Sequence, residues 1–173
     1  MNILEKEIEE IVFQSDNRIL AKKGLFLNRH KLSQVNFGTY GIADIICWTV
    51  INEFGTRKLF FQVVELKKEV IDVNTLMQAS RYVKAINEIF DKFNLENTTI
   101  NIEIILIGKT IQTNGDFVFL TDFVKNLKVY TYEIDLIDGI NFKQHRGWCK
   151  TNTGGLLSPL KLFVKDYKEV YHG

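Results

Sequence analysis

A chain of 173 residues that is 46% hydrophobic can bury one sizeable core and is too short for two ordinary domains, so a single domain over residues 1–173 is expected. Its 22 Lys and Arg nearly cancel its 21 Asp and Glu, so net charge advertises no nucleic-acid partner, and any such binding has to come from local patches. No run of about 18 apolar residues occurs and Glu5, Glu7, Glu9 and Glu10 crowd the start, which predicts neither a membrane span nor a secretory signal and a cytoplasmic protein.

Leu4, Ile8, Ile11 and Val12 recur at helical spacing, and Asn2 followed by Glu5 suits a helix start; this first helix is expected to end near Ser15. Residues 25–37 mix apolar and polar side chains before the turn signal Gly38-Thr39-Tyr40-Gly41. Strands are then expected at 42–51 and 59–66, joined by a hairpin connection over 52–57. Leu76, Ala79, Val83, Ile86, Phe90 and Phe93 repeat every three or four residues and predict one long helix over 74–93. Strands follow at 100–107, ending at Gly108, and at 117–120 and 128–134, the last two separated by a short helical turn. Beyond Gly154-Gly155, Ser158-Pro159 can cap a C-terminal helix over 159–171 that carries Leu160, Phe163, Val164, Tyr167 and Tyr171 on one face. The resulting expectation is an α/β fold with a central mixed β-sheet flanked by helices. Cys47 and Cys149 have neither CxxC spacing nor a clustered His, which supports no zinc site and no disulfide framework.

Side chains alternate along a strand, so Glu65 and Lys67 point to the same side of the sheet. Asp44 emerges from an equally apolar strand, between Ile42-Ala43 and Ile45-Ile46. If the hairpin pairs these strands, Asp44 and Glu65 converge as hard oxygen ligands of the kind Mg²⁺ takes. Taken alone, a Glu-x-Lys is more often a solvent-facing ion pair at a strand end. Gln78 and Tyr82 lie four apart on one helix face, where a plain packing role competes with contacts to the site. Basic residues at Lys22-Lys23, Arg29-His30-Lys31 and 143–150 suit phosphate contact, and solvated loop charge explains them as well.

Taken together, Gly41-Ile42-Ala43-Asp44-Ile45-Ile46, then Val63-Val64-Glu65-Leu66-Lys67-Lys68, then Gln78-Ala79-Ser80-Arg81-Tyr82 resemble the motifs of PD-(D/E)XK nucleases. The likeness is to the branch holding RecB-like nuclease domains, archaeal Holliday-junction resolvases and NucS-type endonucleases. It covers residues 2–135, with 140–173 as a C-terminal extension; Asp44 lacks a preceding proline and its interval to Glu65 is long. The resemblance implies a restriction-endonuclease-like core and a Mg²⁺-dependent endonuclease, with Mn²⁺ as a substitute ion. The enzyme would cut DNA in repair, recombination or defence and leave a 5′-phosphate and a 3′-hydroxyl. Asp44 and Glu65 would hold the ion with the carbonyl of Leu66. Lys67, beside two carboxylates, should have a raised pKa, which suits it to orienting water and offsetting phosphate charge better than to abstracting a proton. Glu5 matches the family's first-helix residue and would bind a second ion or a water, with helix capping as an equal reading and Glu7 or Glu9 as substitutes. Gln78 would serve the catalytic site, and Lys68, Arg81, Tyr82 and Lys84 would meet nucleic acid. A homodimer is compatible with this reading, and a nuclease-fold subunit that binds DNA or protein without cutting is the alternative.

Overall fold

The computed structural model describes residues 4–93, 95, 97–121, 123–135 and 137–145. Asn2 and the expected helix at 159–171 lie outside the described residues. Helices α1 (Glu5–Gln14) and α2 (Asn17–Lys22) come first, followed by strands β1 (His30–Asn36), β2 (Ile42–Glu53), β3 (Thr56–Leu66) and β4 (Val70–Ile71). Helix α3 (Val73–Phe93), strands β5 (Thr98–Gly108) and β6 (Thr110–Ile111), helix α4 (Asp116–Thr121), and strands β7 (Leu127–Asp135) and β8 (Gly139–His145) complete the described fold.

Six strands form one mixed sheet in the order β1-β2-β3-β5-β7-β8, and β4 and β6 make a separate parallel pair. The centre β3, β5, β7 is parallel, with α3 and α4 as the crossover helices, while β1, β2 and β8 add antiparallel partners at the two sides. The fold is therefore α/β with a mixed sheet between helical layers. Alternation along β3, β5 and β7 splits their apolar residues between two cores. Val64, Leu66, Ile105, Ile107, Tyr130 and Tyr132 meet Ile8, Val12 and Leu20 of α1 and α2. Val63, Ile104, Leu106 and Val129 meet Leu76, Ala79, Tyr82 and Ile86 of α3 and Phe117 of α4. Burying Ile8 and Val12 in full stabilises the docking of α1 by roughly 1.5–3 kcal/mol per side chain.

Several local expectations change. Residues 117–120 lie in a helix, not a strand: Phe117, Val118 and Thr121 are buried, a helical spacing, and Asp116 stands in the first turn. The buried stripe of α3 keeps Leu76, Ala79 and Ile86, with Val83 and Phe90 half-buried against the same core; it gains Tyr82 and Ala85, and Phe93 is 67% exposed. At the start of α1 it is Glu7 that bonds back, to the Leu4 amide at 2.6 Å. The hairpin turn is tighter than the expected connection over 52–57, because pairing runs on to Glu53 and Thr56. Strand β8 extends the sheet past residue 135, where the family resemblance ends.

Candidate active site

Two carboxylates come together because the β2–β3 hairpin is in register. Ile45 pairs with Val64 at the end of that ladder, and Asp44 and Glu65 follow next on their strands, near enough that the Asp44 charge acts on the Glu65 carboxyl. Asp44 Oδ2 accepts a hydrogen bond from the Leu66 amide at 2.8 Å. Glu65 is fully buried; its Oε1 accepts from Lys67 Nζ at 2.8 Å, and its Oε2 has no hydrogen-bond partner. An unpartnered buried carboxylate oxygen is costly unless something positive meets it.

Helix α1 completes the cluster from the opposite layer. Glu5 Oε2 accepts from the Lys68 amide at 2.9 Å and its Oε1 lies 3.7 Å from Lys67 Nζ. Lys67 thus stands between carboxylates of β3 and α1, and its own amide donates to the Ile107 carbonyl at 2.8 Å. The three consecutive amides of Leu66, Lys67 and Lys68 are held by acceptors from β2, β5 and α1, which fixes the strand end that carries the lysine. Glu5 therefore faces the site and does not cap α1. Glu9, one turn further on, joins Glu5, Glu10, Gln34 and Asp44 around an open trough of about 680 Å³ and accepts from Gln34 Nε2 at 2.8 Å. Glu9 thus stands beside Glu5 and not only in its place, and its i,i+4 spacing from Glu5 is the signal that both share one helix face.

The electrostatics follow from burial and crowding. Burial raises the Asp44 carboxyl to about 6; Glu9 and Glu5 add to the rise, while the Leu66 amide and Lys67 oppose it. Glu65 is pushed up to about 7 by burial and then by the Asp44 charge, against the pull of Lys67. Burial by itself would lower Lys67, but the Glu65 hydrogen bond and the charges of Glu65, Glu5 and Asp44 outweigh it and the net shift is upward. A lysine held protonated in this way positions and polarises and is a poor base.

The remaining expected site residues divide. Gln78 and Tyr82 lie beside the cluster: Gln78 Nε2 donates to the Tyr82 hydroxyl at 3.0 Å, and that hydroxyl donates to the Ile42 carbonyl at 2.6 Å. Tyr82 is 1% exposed, so its expected contact with nucleic acid is corrected to an internal one: the ring is core and the hydroxyl is committed to β2. Lys68 enters through its backbone, with its amide on Glu5 and its carbonyl accepting from the Tyr132 hydroxyl. Arg81 and Lys84 are exposed on α3, and Lys84 is 3.8 Å from Glu88. Leu66 contributes its amide to Asp44.

Among the described residues, no three His, Cys, Asp or Glu side chains close into a cation cage. The donor set is narrower, two raised-pKa carboxylates and one unpartnered oxygen, and it fits a hard divalent ion that keeps several waters. No helix among the described residues is long and apolar enough to cross a membrane.

Comparison with protein-family models, with curated proteins and with solved structures gives no match. The class defined by fold and site is accordingly structural: an α/β chain with a six-stranded mixed sheet and a carboxylate–lysine cluster where β2, β3 and α1 meet.

Proposed function

We propose that the chain is a metal-dependent nuclease with a PD-(D/E)XK core, which hydrolyses DNA phosphodiester bonds with Mg²⁺ or Mn²⁺ in repair, recombination or defence. The observation that carries this reading is the fully buried Glu65, with one oxygen on Lys67 and the other unpartnered, within reach of the Asp44 charge. Asp44 and Glu65 would hold the ion, with the Leu66 carbonyl as a third oxygen. When bound, a divalent cation supplies Lewis acidity to the scissile phosphate and makes a nearby water more acidic.

The chain's own groups do the rest. Lys67 Nζ, held by Glu65 and Glu5, orients the attacking water and offsets charge on the phosphoryl oxygens. The water oxygen attacks phosphorus and gives up a proton to bulk solvent, the bond from phosphorus to the 3′ oxygen breaks, and that oxygen takes a proton from solvent, which leaves a 5′-phosphate and a 3′-hydroxyl. Asp44 keeps Leu66 and the strand end in place, and Glu5 does the same for Lys68. Arg81 and Lys84, exposed on α3, supply cations for the phosphate backbone.

The test is a panel of linear, branched, mismatched and single-stranded DNA, with RNA as comparison, incubated with Mg²⁺ or Mn²⁺. Wild type should cut at least one DNA form. Asp44→Ala, Glu65→Ala and Lys67→Ala should each lower kcat by about a hundredfold or more while keeping the far-ultraviolet spectrum of the fold. Salt-sensitive binding without cutting on every substrate would replace this reading with that of a nuclease-fold binding subunit.

A further inference from the structure

The start of β2, which carries Asp44, departs from a regular strand. Ala43 and Ile46 both pack toward α3, whereas Ile45 and Cys47 pack toward α1, so strict alternation fails between Ala43 and Ile45. At the same place the Leu66 amide is met by the Asp44 side chain. On the other side of this irregularity the Tyr82 hydroxyl holds the Ile42 carbonyl, two residues before Asp44.

Tyr82 is well fitted to fix that point. Its ring is 1% exposed, belongs to the α3-side core with Leu76, Ala79 and Ile86, and stacks on Phe37 with centroids 5.9 Å apart. A hydroxyl has one proton to give, and here Gln78 Nε2 donates to its oxygen, which leaves that proton for Ile42. Gly41 passes the ring with φ +106, and a Cβ there would sit 3.4 Å from the Tyr82 ring and hydroxyl in a backbone conformation that side chains rarely adopt. The turn before β2 thus runs within contact distance of the tyrosine, and its positive φ is what calls for glycine at position 41.

We propose that Tyr82 is a positioning residue: its hydroxyl, oriented by Gln78, sets the start of β2 through the Ile42 carbonyl so that the Asp44 carboxylate turns onto the Leu66 amide beside Glu65. The consequence for ion binding rests on the nuclease reading; the positioning itself does not. Neither Gln78 nor Tyr82 has to touch substrate for this role.

The test uses the full chain with Tyr82→Phe, which removes only the hydroxyl, and with Gln78→Leu, which leaves ring and hydroxyl in place but frees the hydroxyl to rotate. Amide hydrogen exchange is read without metal, with amides inside β5 as the internal reference. The Leu66 amide should exchange roughly tenfold faster in Tyr82→Phe and about threefold faster in Gln78→Leu, while the β5 amides keep their wild-type rates. Mn²⁺ titrated calorimetrically should bind Tyr82→Phe about tenfold more weakly than wild type. Unchanged Leu66 exchange in both variants overturns the proposal, as does loosening of Leu66 and β5 together, which marks a general packing defect. Faster Leu66 exchange with no Mn²⁺ uptake by wild type leaves the positioning role standing and removes the nuclease reading.

Discussion

Replacing Glu65 with glutamine removes a negative charge from a fully buried position, and its effect on stability should be opposite to its effect on activity. The unfolded chain ionises this carboxyl near its ordinary 4.5 and the folded chain near 7. Between those values the folded state keeps a proton that the unfolded state has lost, so stability is fully present below about 4.5 and is lost as pH rises through 7. The difference amounts to roughly 3 kcal/mol by pH 8 and to under about 1 kcal/mol at pH 5. Glutamine keeps an oxygen for Lys67 and carries no charge, but one of its N–H groups must find a partner. The net gain expected for Glu65→Gln at pH 8 is therefore about 1–3 kcal/mol, or roughly 3–9 °C in Tm for a chain of this size. Thermal unfolding in EDTA at pH 5 and pH 8 measures it, and Mg²⁺ should raise the Tm of wild type but not of the variant. A variant no more stable than wild type at pH 8, or equally stabilised at both pH values, would refute the claim that a strained buried charge is stored at the site.

Other expectations concern the scaffold. Gln62 is 6% exposed, accepts from the Asn28 amide at 2.7 Å and donates to Glu103 at 2.8 Å, so Gln62→Ala should cost about 1–3 kcal/mol by leaving the Asn28 amide without this acceptor and Glu103 with Lys128 alone, read as a lower urea midpoint with unchanged slope. Gly24→Ala would place a Cβ 2.1 Å from the Phe142 carbonyl oxygen at φ +93; a loss of more than about 2 kcal/mol is expected, and a variant within about 0.5 kcal/mol of wild type would contradict the contact. Asp44→Asn keeps an acceptor for the Leu66 amide while removing charge, so it should retain Leu66 protection from hydrogen exchange and lose Mn²⁺ binding, whereas Asp44→Ala should lose both.

The strands that carry Asp44 and Glu65 were legible because each is a long apolar run interrupted by one carboxylate, a conflict that local propensity alone does not explain. Their meeting followed from hairpin register, which short-range sequence specifies well. The long helix and most of its inner face were legible by period, but the stripe is wider than expected: Tyr82 is buried beside the half-buried Val83, and its partners Phe37 and the Ile42 carbonyl lie far away in sequence. Residues 117–120 are four apolar side chains in a row, a run with no period, and the buried spacing of Phe117, Val118 and Thr121 shows only in three dimensions. Strands β1 and β8 carry too many polar residues to stand out, since each is a side strand with one face in water. The contact of Glu5 with Lys68 spans 63 positions and has no local signature at all.

The turn at Lys23 and Gly24 has a bearing on how copies of the chain meet one another. The Phe142 amide of β8, the last strand of the sheet among the described residues, donates to the Lys23 carbonyl at 2.7 Å, and Lys23 Nζ reaches back to the Asp138 carbonyl at 2.6 Å. That side of the sheet therefore presents a helix-end loop where another chain's strand would otherwise add on. The opposite side ends in β1, where Gln34 at φ 52 breaks the even row of amides and carbonyls that a template needs. Both margins are blunted by different means, one by a covering loop and one by an irregular residue. Loosening the Gly24 turn would then do more than lower the unfolding temperature: it would uncover a seam along which strands of separate molecules can stack, and loss of the protein to aggregates is expected to begin there.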